Sequence, residues 1–262
     1  MEYLQRMKAI QNEILEYLDT NQDDIQSANH NKIFTLLNAQ KNRHDNYELK
    51  SILYIISKIT KNHYRGPLLF DKITLIINIL KDEIKNSFTN EEIFNIFKKN
   101  KRMLLLLIDE NIITVDSDTI PKLQIYEDYF YTEIEKSSPN KPQKKDLPEN
   151  YEEMRRIGEN ESYVCNLIRN DKIEEFITYF TRNNISRTSK INHSIFETNT
   201  FLINKNPTLI EYALFFGSIQ IVRFLFQNNA QIDPISWLYA IHGKNPELIH
   251  FLEDNHIIPN DK

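Results

Sequence analysis

Glycine and cysteine are both scarce in this chain of 262 residues. The four glycines, at positions 66, 158, 217 and 243, are far below the usual share of about 7%. They are too far apart to form the glycine-rich loops that hold nucleotide phosphates. The single cysteine, Cys165, cannot form an intramolecular disulfide bond, which favours a reducing compartment.

An excess of positive charge and a long hydrophobic run are also missing. The formal net charge is −5, from 32 Lys and Arg against 37 Asp and Glu, so we expect no nucleic-acid partner. The longest aliphatic run, Met103 to Ile108, is far shorter than the ~20 residues that span a bilayer. Residues 1–18 carry charges and lack the apolar core of a signal peptide. We therefore expect a cytoplasmic protein that does not enter a membrane.

Motifs for catalysis or metal binding are missing as well. The sequence has no G-x-S-x-G nucleophile motif, no H-E-x-x-H motif and no Cys/His zinc spacing. One polar cluster, in which His250 and Glu253 share a helix face, is better explained as the surface of a helix; its members are His242, Glu247, His250, Glu253 and His256. We predict no catalytic, cofactor-binding or metal-binding residues and a protein that is not an enzyme.

Two smaller features have both a functional and a structural interpretation. Cys165 would be a nucleophile only beside a base in an electropositive pocket. Its apolar neighbours Val164, Leu167 and Ile168 instead favour a buried small side chain. The basic run at 98–102 could bind phosphate, but the adjacent Glu91 and Glu92 favour a solvated helix end.

Helical periodicity dominates the chain. Apolar residues recur at intervals of three and four along 3–18, 52–59 and 73–84, the spacing of an amphipathic helix. Helix starts are marked by two capping boxes, Thr89 with Glu92 and Thr208 with Glu211. The dipeptides Asn206-Pro207, Asp233-Pro234 and Asn245-Pro246 also place a cap residue before a proline.

Asparagine stands where glycine usually ends a helix. It follows apolar helical stretches at Asn111, Asn183, Asn184, Asn228, Asn229 and Asn255. Because Asn is the usual second choice for the left-handed backbone of a C-cap, we expect that conformation there. The pattern predicts an all-α fold.

Composition divides the chain into three parts. The segment 136–150 is rich in proline and lysine and nearly free of apolar residues, which predicts a linker. An N-terminal helical domain, 1–135, would precede it and a C-terminal helical region, 151–262, would follow it. A second irregular stretch, 184–206, contains apolar residues and is predicted to be a loop packed against the body.

A repeat occurs near the C-terminus at an offset of 27 residues. It aligns Pro207 with Pro234, Ala213 with Ala240, and Asn228 with Asn255. Two helix–turn–helix units, 207–233 and 234–260, therefore follow one another. Similar pairs of helices are predicted for 88–115 and 163–180.

The stretch 207–233 resembles an ankyrin repeat. Thr208 stands near the family's opening position, Ala213 at its helix-packing alanine and Gly217 at its turn glycine, and 229–233 resembles its closing residues. The chain also resembles a large protist family in which a helical domain of unknown function precedes ankyrin repeats. Five segments carry that resemblance: 1–15, 88–102, 155–171, 195–213 and 237–243.

The resemblance implies a solenoid of helical hairpins, with an N-terminal repeat-like domain and degenerate ankyrin repeats in 151–262. It implies a non-catalytic scaffold that binds another protein. In the ankyrin pattern Phe215 and Phe216 face the concave surface and His242 follows one repeat later, so these three are the predicted partner-binding residues. Packing of the two phenylalanines against 184–206 as core is the other interpretation.

Self-association is the alternative function. A repeat whose stacking face is uncovered exposes an apolar patch. Ile249, Leu252, Ile257 and Ile258 belong to the last unit. They would either turn inward or leave that face open to a second copy of the chain.

Overall fold

The chain is helical throughout the part that the structure describes. The computed structural model describes residues 2–20, 28–41, 43, 45–63, 66, 68–137 and 146–259, without the side chains of 28–30. Within these residues there are sixteen α-helices and no extended strand. One isolated antiparallel bridge joins Lys190 to Thr208. The predicted all-α fold class is confirmed.

Contacts divide the chain into two compact units, Met1–Leu147 and Pro148–Lys262. The division falls inside the predicted linker, although residues 138–145 of that segment lie outside the described residues. The helices of the first unit are α1 Glu2–Asp19, α2 Ala28–Lys41, α3 Asn46–Asn62, α4 Leu69–Ser87, α5 Asn90–Phe97, α6 Lys101–Asp109, α7 Ile120–Leu123 and α8 Tyr131–Ser137. A 3₁₀ turn, Gln124–Tyr126, follows α7.

The first unit buries one continuous core. Helix α1 packs on α2, α3 and α4, α2 packs on α4, and α5 packs on α3 and α6. The predicted helical faces supply this core: Ile14, Ile52, Ile56, Ile73 and Ile77 have no exposed surface. The basic run at 98–102 is not a uniformly solvated helix end, because Lys101 and Arg102 are buried over the rings of Tyr129 and Phe70.

The second unit contains three pairs of helices. Its helices are α9 Tyr151–Ile157, α10 Tyr163–Arg169, α11 Ile173–Arg182, α12 Thr200–Lys205, α13 Leu209–Phe216, α14 Ile219–Gln227, α15 Ser236–His242 and α16 Pro246–Asp254. The pairs are α10 with α11, α13 with α14 and α15 with α16. The first helix of each pair lies beside the first helix of the next pair, since α13 contacts both α10 and α15. The second helices α11 and α14 are also in contact.

Local sequence signals account for many of the helix ends. Both capping boxes form, at Thr89 and at Thr208, and Asn245 caps α16 ahead of Pro246. The prediction that Asn206-Pro207 and Asp233-Pro234 begin helices was wrong. Asn206 ends α12 in a left-handed conformation, and α15 begins only at Ser236, after a turn at 234–235.

Asparagine ends four helices of the second unit by the same geometry. The side-chain amide donates to the carbonyl four residues earlier at Asn170, Asn183, Asn228 and Asn255, over 2.7–2.9 Å. The next residue then has positive φ: Asp171, Asn184, Asn229 and His256. The left-handed expectation is therefore confirmed at Asn111, Asn184 and Asn229. It was wrong at Asn183, Asn228 and Asn255, where φ is negative and the side chain caps the helix instead.

The stretch 184–206 is less irregular than predicted. It contains α12, whose N-cap is Asn199. Phe196 and Leu202 are buried, as the packed-loop prediction required.

A buried lysine holds the C-terminus of α1. The Nζ of Lys72 donates to the carbonyls of Tyr17, Leu18 and Thr20 and to Thr20 Oγ1, over 2.5–3.2 Å. Burial lowers the pKa of this ammonium group, with a smaller opposing effect of Asp19. The charge is kept inside because it satisfies carbonyls that the end of a helix leaves unpaired.

Lys72→Met should therefore destabilise the protein by about 1–3 kcal/mol, because buried carbonyls lose their donor. The measurement is the urea-unfolding midpoint of the full chain. Lys85→Met, the same change at an exposed position of the same helix, is the matched control. Equal effects of the two substitutions would show that Lys72 does not cap α1.

Candidate functional site

The predicted partner-binding residues lie at the ends of α13 and α15. The N-cap of α13 is Thr208, whose hydroxyl accepts from the Glu211 N–H while the Glu211 carboxylate accepts from the Thr208 N–H at 2.7 Å. The C-cap of α13 is Gly217, where φ is +79°. This left-handed residue directs the chain into α14, as expected for a turn glycine.

Helices α13 and α15 approach closely because their facing residues are small. Ala213 and Ala240 have no exposed surface. A Cβ at Gly243 would lie 2.5 Å from the Leu214 carbonyl oxygen and 3.0 Å from the Gly217 nitrogen. The Nδ2 of Asn245 donates to the Gly217 carbonyl at 2.8 Å. The turns of the two successive pairs therefore touch backbone to backbone.

Phe215 lies inside this contact between α13 and α15, which we call the α13–α15 joint. It has no exposed surface, and its ring stacks on His242 with centroids 3.7 Å apart and on Phe201 of α12 with centroids 6.1 Å apart. The ring planes differ by only 13° and 14° in these two pairs. Phe215 thus joins three helices, α12, α13 and α15.

Phe216 is also buried, against Tyr212 and Phe215, with ring centroids 4.7 and 5.1 Å apart. Both phenylalanines are therefore packed as core, which was the second interpretation of the sequence. His242 is half-buried. The structure brings Phe215 and His242 together, and binding of a partner by these three residues stays a prediction.

An exposed apolar stripe on α15 was not predicted from the sequence. Ser236, Tyr239 and Ala240 face inward. On the other side Ile235, Leu238 and Ile241 are 39%, 52% and 62% exposed. The available signal was that 235–241 is apolar on nearly every side, which is typical of a helix covered on two faces.

The apolar residues that could leave the last predicted repeat uncovered are only partly exposed. Leu252 is fully buried, Ile249 and Ile257 are half-buried, and Ile258 is exposed. Trp237 is partly buried in the core, and its indole N–H donates to the Ile257 carbonyl at 2.8 Å.

A polar cleft of about 460 Å³ lies elsewhere in the second compact unit. Asn160, Ser194, Glu197 and Tyr212 are its buried polar lining. Their hydrogen bonds are largely internal: Asn160 donates to the Asn192 carbonyl at 2.8 Å, and Tyr212 accepts from Arg169 at 3.0 Å. The sequence contained no motif that pointed to this cleft.

Cys165 is buried, as predicted. Burial raises the pKa of its thiol to about 11, despite smaller opposing effects of Ser162, Arg169 and Tyr212. A thiol of this kind is protonated at neutral pH, so it lacks the thiolate form that a nucleophile requires.

The histidine-rich end of the chain is solvent-facing. His250 Nδ1 lies 3.3 Å from a carboxylate oxygen of Glu253, and both side chains are exposed. Among the residues that the structure describes, no group of three or more His, Cys, Asp or Glu side chains could hold a metal ion. Over the same residues, every helix is too short or too polar to cross a bilayer.

Comparisons with protein-family models, curated proteins and solved structures give no match.

Gly243→Ala should destabilise the second unit by about 1–3 kcal/mol, because the added methyl group overlaps backbone that cannot yield easily. The backbone at Gly243 is right-handed helical, with φ −64°, where alanine normally stabilises. Thermal unfolding of the full chain measures the effect. Stabilisation by this substitution would show that the close α13–α15 contact is absent.

Cys165 should resist alkylation by iodoacetamide at pH 8, since a thiol of pKa about 11 has roughly one thiolate per thousand molecules at that pH. Mass spectrometry should find modification only after unfolding in guanidinium chloride. Cys165→Ser provides the background. Equally fast modification of native and unfolded protein would contradict the buried placement.

Proposed function

We propose that this protein is a non-catalytic scaffold that binds another protein through its C-terminal unit. The observation that carries the proposal is the α15 stripe, which we define as Ile235, Leu238 and Ile241. Leu238 and Ile241 are exposed on α15 and Ile235 is exposed at its N-cap, while Ser236, Tyr239 and Ala240 of the same helix are buried. Apolar side chains grouped in this way are typical of surfaces that bind proteins.

We further propose that the three helical pairs form a short solenoid of the ankyrin type. The row of first helices, the alanines at the α13–α15 joint and the left-handed residues at corresponding turns, Gly217 and Lys244, support this architecture. The 27-residue offset is shorter than the roughly 33 residues of an ankyrin repeat. Under this proposal the missing residues are those of the loop that usually joins two pairs.

The aromatic residues receive a supporting role in this proposal. Phe215, stacked on His242 and Phe201, fixes α15 on α13. A helix held in this way loses little backbone conformational entropy when its outer side chains bind a partner. Phe216 and His242 then act on a partner by positioning α15, and the half-buried His242 ring lies at the edge of the joint.

Self-association is the second candidate function, and the same stripe favours it. Apolar residues at intervals of three form a ridge inclined to the helix axis, and such a ridge can pack against its own copy across a twofold axis. A homodimer of this kind would cover each stripe with the other.

Replacing the stripe with polar residues, as Ile235→Thr/Leu238→Gln/Ile241→Thr, tests the proposal. We expect the stability to change by no more than about 0.5 kcal/mol per site, because exposed positions are tolerant. We expect the variant to lose the proteins that wild type crosslinks in cell extract. Ile125→Gln, at an exposed position of the first unit, is the control.

Sedimentation velocity over a range of concentrations separates the two candidates. Concentration-dependent dimers of wild type that disappear in the stripe variant favour self-association. A wild type that stays monomeric excludes it and leaves the scaffold proposal. The scaffold proposal fails if wild type and the stripe variant crosslink the same proteins equally.

A further inference from the structure

Four lysines from two segments of the first unit lie on neighbouring elements. Lys58 and Lys61 are on α3, and Lys98 and Lys99 follow α5. Helices α3 and α5 are in contact. The Ser57 hydroxyl donates to the Ile96 carbonyl at 3.0 Å, and the Asn100 amide donates to Thr60 Oγ1 at 3.0 Å. These buried bonds fix the α5–α6 turn against the last two turns of α3.

None of these lysines has an acidic partner within the described part of the chain. Lys58, Lys98 and Lys99 are exposed and Lys61 is half-buried. Among the described residues, the hydrogen bond made by a side-chain ammonium group of these four lysines is that of Lys98 Nζ to the Asn95 side-chain oxygen, at 3.4 Å. We call these four residues the lysine patch.

The charges of the patch repel one another. The pKa of Lys61 lies below its ordinary value, first because of burial and then because of the positive charges of Lys58 and Lys99. At the opposite, N-terminal ends of α3 and α5, positive charge lies near negative charge. There the Glu92 carboxyl has a lowered pKa, chiefly through hydrogen bonds from Thr89 and to a smaller extent through Lys50.

The helix dipole explains only part of the patch. A lysine at the C-terminal end of a helix is favourable, which accounts for Lys61 in the last turn of α3 and for Lys98 at the C-cap of α5. The helix dipole does not account for Lys58 and Lys99, whose positive charges add repulsion and are not balanced by a nearby carboxylate. An anionic ligand would remove this cost.

We propose that the lysine patch is a docking site for an acidic segment of a partner protein. Tyr54, which is 49% exposed, lies on the same face of α3 as Lys58 and Lys61, four and seven residues earlier. A segment that places an apolar side chain beside its carboxylates fits this face. The net charge of −5 opposes binding of a long polyanion such as a nucleic acid, which favours a short acidic peptide as the occupant.

The test uses the full chain and a fluorescein-labelled peptide that alternates glutamate with leucine. Fluorescence anisotropy at low ionic strength should show binding that weakens as salt is added. Lys58→Gln/Lys61→Gln/Lys99→Gln should weaken binding by about tenfold or more, because three charges of the site are lost. The control Lys8→Gln/Lys85→Gln/Lys136→Gln makes the same net-charge change at exposed positions of the same unit and should bind as wild type does.

Two further probes make the result decisive. The peptide with glutamine in place of glutamate should not bind, and a single-stranded RNA of matched charge should bind more weakly than the acidic peptide. Stronger binding of the RNA, absence of peptide binding, or equal losses in the patch and control variants would each overturn the proposal. The patch variant should unfold at nearly the temperature of wild type, because the repulsion relieved among the lysines offsets the favourable helix-end position lost at Lys61.

Discussion

The close backbone contact between α13 and α15 determines the rest of the second unit. Gly243 lies against the Leu214 carbonyl and the Gly217 nitrogen at distances that leave no space for a Cβ. Ala213 of α13 and Ala240 of α15 are also small and fully buried, which favours a close approach of the two helices. It also encloses Phe215 between the helices and turns the opposite side of α15, with Ile235, Leu238 and Ile241, toward solvent. The glycine that makes the joint thus also decides which apolar residues are hidden and which are presented.

The shortage of glycine elsewhere is met by asparagine in a recurring arrangement. An Asn side chain satisfies a carbonyl in the last turn of the helix, and the following residue takes the left-handed conformation, as at Asn228–Asn229 and Asn255–His256. The arrangement needs no tertiary contact, because donor and acceptor are four residues apart. The close approach of two backbones, at Gly217 and Gly243, is a place where asparagine cannot replace glycine.

This difference explains what could be predicted from the sequence. The helices, both capping boxes and the helical pairs follow from interactions within a few residues, so their residues could be read directly. The burial of Phe215 could not, because it depends on Phe201, whose helix α12 lies in a stretch of irregular appearance. The proline at 207 failed as a helix start for a related reason: Asn206 already ends α12, and the capping box at Thr208 supplies a stronger start. The α15 stripe and the lysine patch depend on which faces the tertiary structure covers.

The two exposed surfaces would act through different physical interactions. Binding at the α15 stripe gains free energy from removing apolar area from water, which salt affects little. Binding at the lysine patch gains from Coulomb attraction, which salt screens within a Debye length. Each surface lies in a separate compact unit, and each unit has its own buried core. Binding at the two surfaces can therefore be distinguished by its dependence on salt, with substitutions made in one unit at a time.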